Sequence, residues 1–316
     1  MGCANGLDAI ELGLRAAGIR PGDRVLTTPL SAFATTLAIV RAGGVPVFVD
    51  VDGSGLMNLD LASQLLQTRP DIRFLVPVHL YGHALDLARL AEIRDRFGVL
   101  VIEDCAQAVG AASGGQPVGS VGSLAATSFY PTKNLGCLGD GGAVFTNDDA
   151  LAEKVRMLRD YGQSTKYNHA ALGLNSRLDE LQAAILLTAL LPRLAKFTAR
   201  RQAIAARYLA KLRHPCLVIP PAPAHSASVW HLFPVIVEGD RERFRQHLSG
   251  QRVGSAVHYP GLIPEQPAMK AAPCETAGSL AVAGRFAQRE VSLPIHPYLS
   301  EDDVSRVIEA CNRWEN

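Results

Sequence analysis

The chain carries short, nearly continuous runs of apolar and β-branched residues: RVLTT (24–28), VPVFVDV (45–51), FLVPVHL (74–80), VLVIED (99–104), AATSFY (125–130) and GAVFTN (142–147). Runs of this length predict strands. Between several of them the apolar period lengthens to that of a helix. Leu7, Ile10 and Leu14 share one face ahead of Gly18, where Pro21-Gly22-Asp23 turns the chain; Leu87, Leu90 and Ile93 do the same ahead of Gly98. Strands apolar on both faces and alternating with helices predict an α/β fold, a mostly parallel sheet flanked by helices.

Beyond about residue 148 the rhythm changes. DDALAEKVRMLRDYG and LDELQAAILLTALLPRLAKFTARRQAIAARYLAKL are long helical stretches, the second too long for one ordinary helix unless it spans a domain junction. A boundary is therefore expected near residue 195, with a large domain over 1–195 and a smaller C-terminal α/β domain over 196–316. The second part opens on the Pro-rich HPCLVIPPAPAHSASVWHLFPVIVEGD, continues with the helix DRERFRQHLSG, and closes on a helix that Ser300 caps with Asp303 three residues on. Trp230 and Phe233 read as core of this part.

The 316 residues hold 31 Lys plus Arg against 30 Asp plus Glu, a formal net charge of +1. With no basic stripe or acidic tail, neither nucleic acid nor a membrane surface is an expected partner. No run approaches the roughly 20 consecutive apolar residues of a membrane helix, and MGCANGLDAI lacks the charged and apolar regions of a secretion signal, so a cytoplasmic protein is expected. The six cysteines form no C-x-x-C pair and read as reduced, mostly buried thiols. His79 and His83 have metal-like spacing without a third ligand nearby, so no metal is expected.

In open α/β sheets ligands bind beyond the carboxyl ends of the strands. Three candidates fall there. Asp104 closes VLVIED; a carboxylate ending a buried strand needs a cation or donor, though it also reads as a helix cap. ANGLDA opens the first helix, where Gly6 admits a ligand to the backbone and the free N–H groups suit a phosphate. Lys133 sits in SFYPTKNLGCLGDGGAVFTN, five residues after Ser128; taken alone it is a solvated loop lysine. Together the three suit one ligand with a phosphate, a ring nitrogen and an aldehyde, namely pyridoxal 5'-phosphate.

The motifs NGLDAIELGLRAAGIRPGDRVLTTPLSAFATTLAIVRAGGVPVFVDVD, VPVHLYGHALDL, VIEDCAQAVGA, SFYPTKNLGCLGDGGAVFTND, GLNSRLDELQAAIL and HYPGLIPEQPA resemble, in order, those of the DegT/DnrJ/EryC1/StrS sugar aminotransferases, of the aspartate aminotransferase-like fold type I. The resemblance implies that Lys133 attaches the cofactor covalently, that Asp104 pairs with the pyridine nitrogen and that Gln107 contacts the ring hydroxyl. It implies Gly6, Leu7 and Ser128 at the phosphate, and Asn175 reaching the phosphate of a neighbouring subunit, hence a homodimer with shared active sites. The implied reaction transfers an amino group, from glutamate, to a keto group of a nucleotide-linked deoxysugar. Lysine at 133, where the family's dehydratases carry histidine, favours transamination.

The chain also departs from the family pattern. Ser31-Ala32 stands where an aromatic normally stacks on the ring, with Phe33 one place off; Val109 and Pro264 stand where histidines are common; Leu7 replaces a threonine and leaves only its backbone N–H for the phosphate. The chain starts almost on the Asn-Gly motif, ahead of which the family carries an arm. With Ala32, this motivates a second expectation, a catalytically silent homologue acting as a binding or regulatory partner. His258 and Tyr259 read either as sugar-pocket lining or as ordinary packing. Arg177 reads either as a contact for the donor's carboxylate or as a partner of Asp179 or Glu180.

Overall fold

The computed structural model describes residues 1–315. Its central sheet has eight strands, in the spatial order 2–3, 142–145, 124–128, 100–104, 72–75, 24–27, 45–48 and 275–276. From Leu124–Ser128 through Leu100–Asp104, Ile72–Leu75 and Arg24–Thr27 to Val45–Phe48 every pairing is parallel, and Gly142–Phe145 closes that side antiparallel. The six expected strands all form, each a residue or more shorter than its apolar run. Past Leu75 the chain leaves the ladder, still held to it by the Val76 N–H on the Leu26 carbonyl at 2.8 Å and by the bridge of Val78 to Asp104.

The chain runs from Arg24–Thr27 outward to Val45–Phe48, then returns to the other side at Ile72–Leu75 and continues away. That reversal is a topological switch point, and the carboxyl ends of all the parallel strands open on the same edge. Loops 28–32, 76–82, 105–107 and 129–136 lie there. Helix Gly6–Ala16 packs on strands Leu100–Asp104 and Leu124–Ser128 through Gly13, where an added Cβ would sit 3.3 Å from Ile102 and 3.9 Å from Leu124. Asn5 caps it, its side chain accepting from the Asp8 N–H over 2.8 Å.

The second half has its own antiparallel sheet of Leu217–Val218, Phe233–Val237 and Glu290–Leu293, packed by helices Leu194–Lys211, Arg241–Gly250 and Glu301–Asn312. Trp230 and Phe233 lie in that core, rings 5.3 Å apart and stacked. Ser300 and Asp303 form the expected reciprocal cap. Segment Glu275–Thr276 nevertheless pairs back onto Val47–Phe48 of the large sheet.

The expected division near 195 lies inside one unbroken helical run, Glu180–Lys211. Leu186–Leu190 winds as a π-turn and Leu191–Arg193 as a 3₁₀ turn. Pro192 explains both: it has no N–H to donate, and its ring crowds the carbonyl one turn back. This run corrects the expectation that no segment has membrane-spanning length and composition, since by those two measures it has both. Its apolar stretch is almost entirely unburied, with Leu181 and Leu187 70% and 64% exposed.

Candidate active site

Lys133 lies in a turn closed by its own N–H donating to the Tyr130 carbonyl over 2.8 Å. The turn is drawn back onto the sheet where Cys137 N–H meets the Phe129 carbonyl at 2.7 Å. Asn134, next in sequence, is buried and ties the loop to the second half of the chain by donating to the Val229 carbonyl at 3.1 Å. Burial lowers the Lys133 pKa below the ordinary lysine value, and the Asp104 charge partly opposes that shift. The residue is half-buried and lines a cavity together with His231 and His258, which sets it apart from a solvated loop lysine.

Asp104 ends its strand 5% exposed. Oδ2 accepts from the Thr35 hydroxyl over 2.8 Å, and Oδ1 accepts from the Ala106 N–H at 3.0 Å. Ser31 donates to Thr35 in turn over 3.2 Å. Sequence reasoning missed Thr35, because it stands 69 residues from Asp104 and its helix gives no local sign of a carboxylate. The cap role is ruled out for Asp104, since no helix begins there: only the short turn Cys105–Ala108 follows.

Gly6 and Ser128 meet closely: an added Cβ on Gly6 would lie 2.7 Å from the Ser128 Cβ. The first turn of the helix, with the N–H groups of Gly6 and Leu7 unused by its cap, therefore faces the end of strand Leu124–Ser128. Free N–H groups, a positive helix end and a hydroxyl converge without side-chain bulk, as an anionic phosphate requires. This cradle, the desolvated amine and the pinned carboxylate all lie on one sheet edge, so the residues present fit pyridoxal phosphate.

Gln107 accepts from the Tyr81 N–H at 2.8 Å and donates to the Tyr259 hydroxyl at 3.1 Å. Tyr259 thereby joins the site from the second half of the chain. Phe33 packs with Phe48, Ile263 and Met269, and Ala32 is the first residue before its helix, so neither places an aromatic beside Asp104 in the expected manner. Asn175 stands apart: it is exposed, and its Oδ1 accepts from Arg177 at 3.0 Å. Arg177 pairs with neither Asp179 nor Glu180; its ion pair is Asp160, at 3.5 Å.

His79 and His83 do not share a ligand. His79 donates through Nε2 to Glu103 at 2.9 Å, and its Nδ1 accepts from the Leu85 N–H at 3.1 Å; His83 bonds Ser228 at 2.9 Å. The ligand atoms of His79, Glu103 and Cys105 do lie within 4.8 Å of one another. Glu103, however, already accepts from the N–H groups of Gly119, Val121 and Gly122 as well as from His79. Its lone pairs are spent on holding the 119–122 turn, a structural task.

His258 sits on the cavity side of the second sheet. Its Nδ1 lies 2.9 Å from the Ser292 hydroxyl, which donates to Glu290 at 2.5 Å. Burial, with a contribution from the Lys133 charge, lowers the His258 pKa to about 4; burial raises that of Glu290 to about 8.

The DegT/DnrJ/EryC1/StrS aminotransferase family model matches residues 1–312. A dTDP-3-amino-3,4,6-trideoxy-alpha-D-glucose transaminase from Streptomyces venezuelae is 43% identical over 99% of this chain and 82% of its own length. The crystal structure of DesV from S. venezuelae superposes with a TM-score of 0.94 at 42% identity, covering 99% of this chain and 84% of that one. NtdA from Bacillus subtilis, solved with bound PMP, superposes with a TM-score of 0.86 at 29% identity, covering 98% of this chain and 72% of that one.

Proposed function

The chain belongs to the DegT/DnrJ/EryC1/StrS aminotransferase family, and from that premise we propose how its residues divide the work of transamination. It is a pyridoxal-phosphate-dependent aminotransferase of nucleotide-linked sugars; the relatives favour this over the catalytically silent reading. Glutamate as donor, a keto-deoxysugar as acceptor and the residue roles below are the proposal.

When bound, the cofactor supplies an aldehyde that condenses with amines and a ring that draws electrons from the adjacent carbon. Desolvated Lys133 keeps a larger fraction of its amine unprotonated near neutral pH, so Nζ can act as nucleophile and later hold or return a proton. Asp104, oriented by Thr35 and the Ala106 N–H, presents its charge to a protonated ring nitrogen. Gly6, Leu7 and Ser128 bind the phosphate and so fix the ring's distance from Lys133. Gln107, held between Tyr81 and Tyr259, faces the ring hydroxyl.

A homodimer belongs to the same proposal. Leu181, Leu187 and Leu191 line one exposed helical run above an apolar cleft of about 630 Å³ walled by Phe129, Leu135 and Leu186. A surface this apolar suits a second copy, and exposed Asn175 would then reach the partner's phosphate. We also place the reaction in the cytoplasm, a reducing compartment that suits six cysteines without a C-x-x-C pair; cell fractionation tests it.

The observation that carries the reading is the gathering on one sheet edge of the pinned Asp104 carboxylate, the close Gly6–Ser128 approach and the cavity-lining Lys133. Protein saturated with pyridoxal phosphate should show the visible absorbance of lysine-bound cofactor, bleached by glutamate. Lys133→Ala should lose that band and slow transamination by about 10³-fold or more while melting like the parent. Turnover retained in the variant would sink the assignment.

A further inference from the structure

Glu290 opens strand Glu290–Leu293 and is fully buried. Its Oε2 accepts from the His258 N–H at 2.6 Å, and its Oε1 lies 2.5 Å from the Ser292 hydroxyl. That hydroxyl lies 2.9 Å from His258 Nδ1. The arrangement follows from register: Ala256 bridges Ser292 antiparallel, and two residues further on His258 stands against Glu290, with Ser292 on the same strand face. One histidine is thus gripped twice, by its backbone and by its ring.

The ring also lines the cavity of about 490 Å³ that holds Lys133. With Nδ1 turned to the strand, Nε2 is the nitrogen left to the cavity, and it has no hydrogen bond among the described residues. Which nitrogen carries the ring proton is settled at the other end of the row, because the Ser292 hydroxyl has a single proton to give. Ionised Glu290 takes that proton; the hydroxyl then accepts from Nδ1–H, and Nε2 is bare. Protonated Glu290 reverses the row. Its proton sits on Oε1, since Oε2 already faces an N–H, so the carboxyl donates to the hydroxyl, the hydroxyl donates to Nδ1, and the ring proton is on Nε2.

We propose that Glu290 and Ser292 are positioning residues for His258: the carboxyl decides, through the hydroxyl, whether His258 offers a hydrogen-bond donor or an acceptor to the cavity beside Lys133. Burial raises the Glu290 pKa to about 8, and burial with the Lys133 charge lowers that of His258 to about 4. Both groups are therefore neutral at pH 7, and Nε2–H is a donor suited to a carbonyl or hydroxyl oxygen. The donation from Ser292 to Glu290 belongs to the ionised carboxylate, above pH 8. The other charged or titratable groups near the pair are Arg241 and Arg245 on helix Arg241–Gly250, Tyr81, Tyr259, and Lys133 and His231 at the cavity. The inference rests on the aminotransferase reading only for the nature of the ligand that meets Nε2.

The test is the 15N spectrum of cofactor-loaded protein labelled at histidine, in which the ring shifts report the nitrogen that carries the proton; His258→Gln assigns the signals. The parent should hold the proton on Nε2 at about pH 7 and on Nδ1 at about pH 9.5. Lys133 also titrates, so the control is Glu290→Gln. Its amide oxygen must accept from the His258 N–H, which turns the NH₂ to Ser292 and should keep the proton on Nε2 at both pH values. A parent with one tautomer throughout, or a Gln variant that changes as the parent does, overturns the proposal. Should Glu290→Gln fail to fold, Ser292→Ala decides: a tautomer change that persists without the hydroxyl overturns the relay, and its loss supports it. Absence of a cofactor band in the parent would instead defeat the aminotransferase reading and leave the tautomer result standing.

Discussion

The hydroxyl of Thr35 donates over 2.8 Å to the carboxylate of Asp104, joining the first turn of a helix to the end of a strand 69 residues away. With the Ala106 N–H on the other oxygen, the carboxylate has one orientation. Thr35→Val keeps the shape and removes the donor. A hydrogen bond to a charged group contributes about 1.5–3 kcal/mol, so cofactor affinity, followed by absorbance titration, should fall by about 10-fold or more. Unchanged affinity would mean that Asp104 is positioned by its backbone alone.

Gly6 faces Ser128 too closely for any side chain, the added Cβ lying 2.7 Å from the Ser128 Cβ. Gly6→Ala must push the helix off the strand end, at about 1–3 kcal/mol for an overpacked contact. The melting temperature should drop and cofactor affinity should fall further than stability does, because the N–H groups of the first turn move with the helix. A variant that keeps full cofactor affinity would remove Gly6 from the phosphate site.

Stability should peak near pH 6.5. The buried carboxyl of Glu290 titrates at about 8 in the fold, above its unfolded value, so the native state holds the extra proton. Stability from this group is complete below the unfolded pKa and declines as pH rises through about 8. His83 and His258, each lowered to about 4, work oppositely: their contribution is complete above the unfolded histidine value near 6.5 and is lost as pH falls towards 4. Glu290→Gln should flatten the alkaline limb between pH 6.5 and 8 and steepen the acid limb between 4.5 and 6.5, where the Glu290 proton opposes the histidines. Melting curves across that range check it; two parallel alkaline limbs would refute the role of Glu290.

Leu187, 64% exposed beside the apolar cleft, is the place to break a dimer without touching a fold. Leu187→Glu should convert the sedimenting species from dimer to monomer, change the melting temperature of the monomer little, and remove most activity. A parent protein that sediments as a monomer at micromolar concentration, with full activity, would rule out shared active sites.

Much of this was readable from order along the chain. Six apolar runs became the six expected strands, because strands buried on both faces need continuous apolar sequence. Asp104, Ser128 and Lys133 could be placed together because each follows a strand end, and parallel strands bring their carboxyl ends to one edge. Gly6 was legible for the same reason, as the opening of a helix that runs back across the sheet.

Other features were not readable because their meaning is made by chain segments far apart in sequence. Thr35 gains its role from Asp104, Tyr259 from Gln107, and Glu290 from His258 and Ser292. In the sequence Glu290 is one of 30 acidic residues; only burial against His258 singles it out. The sequence alone determined the six main strands of the sheet and which chemistry lies on its edge, since both follow from local periodicity. The tertiary structure decided which side chains pin that chemistry and where a carboxyl is buried with its proton, since hydrogen bonds and desolvation depend on neighbours that only packing supplies.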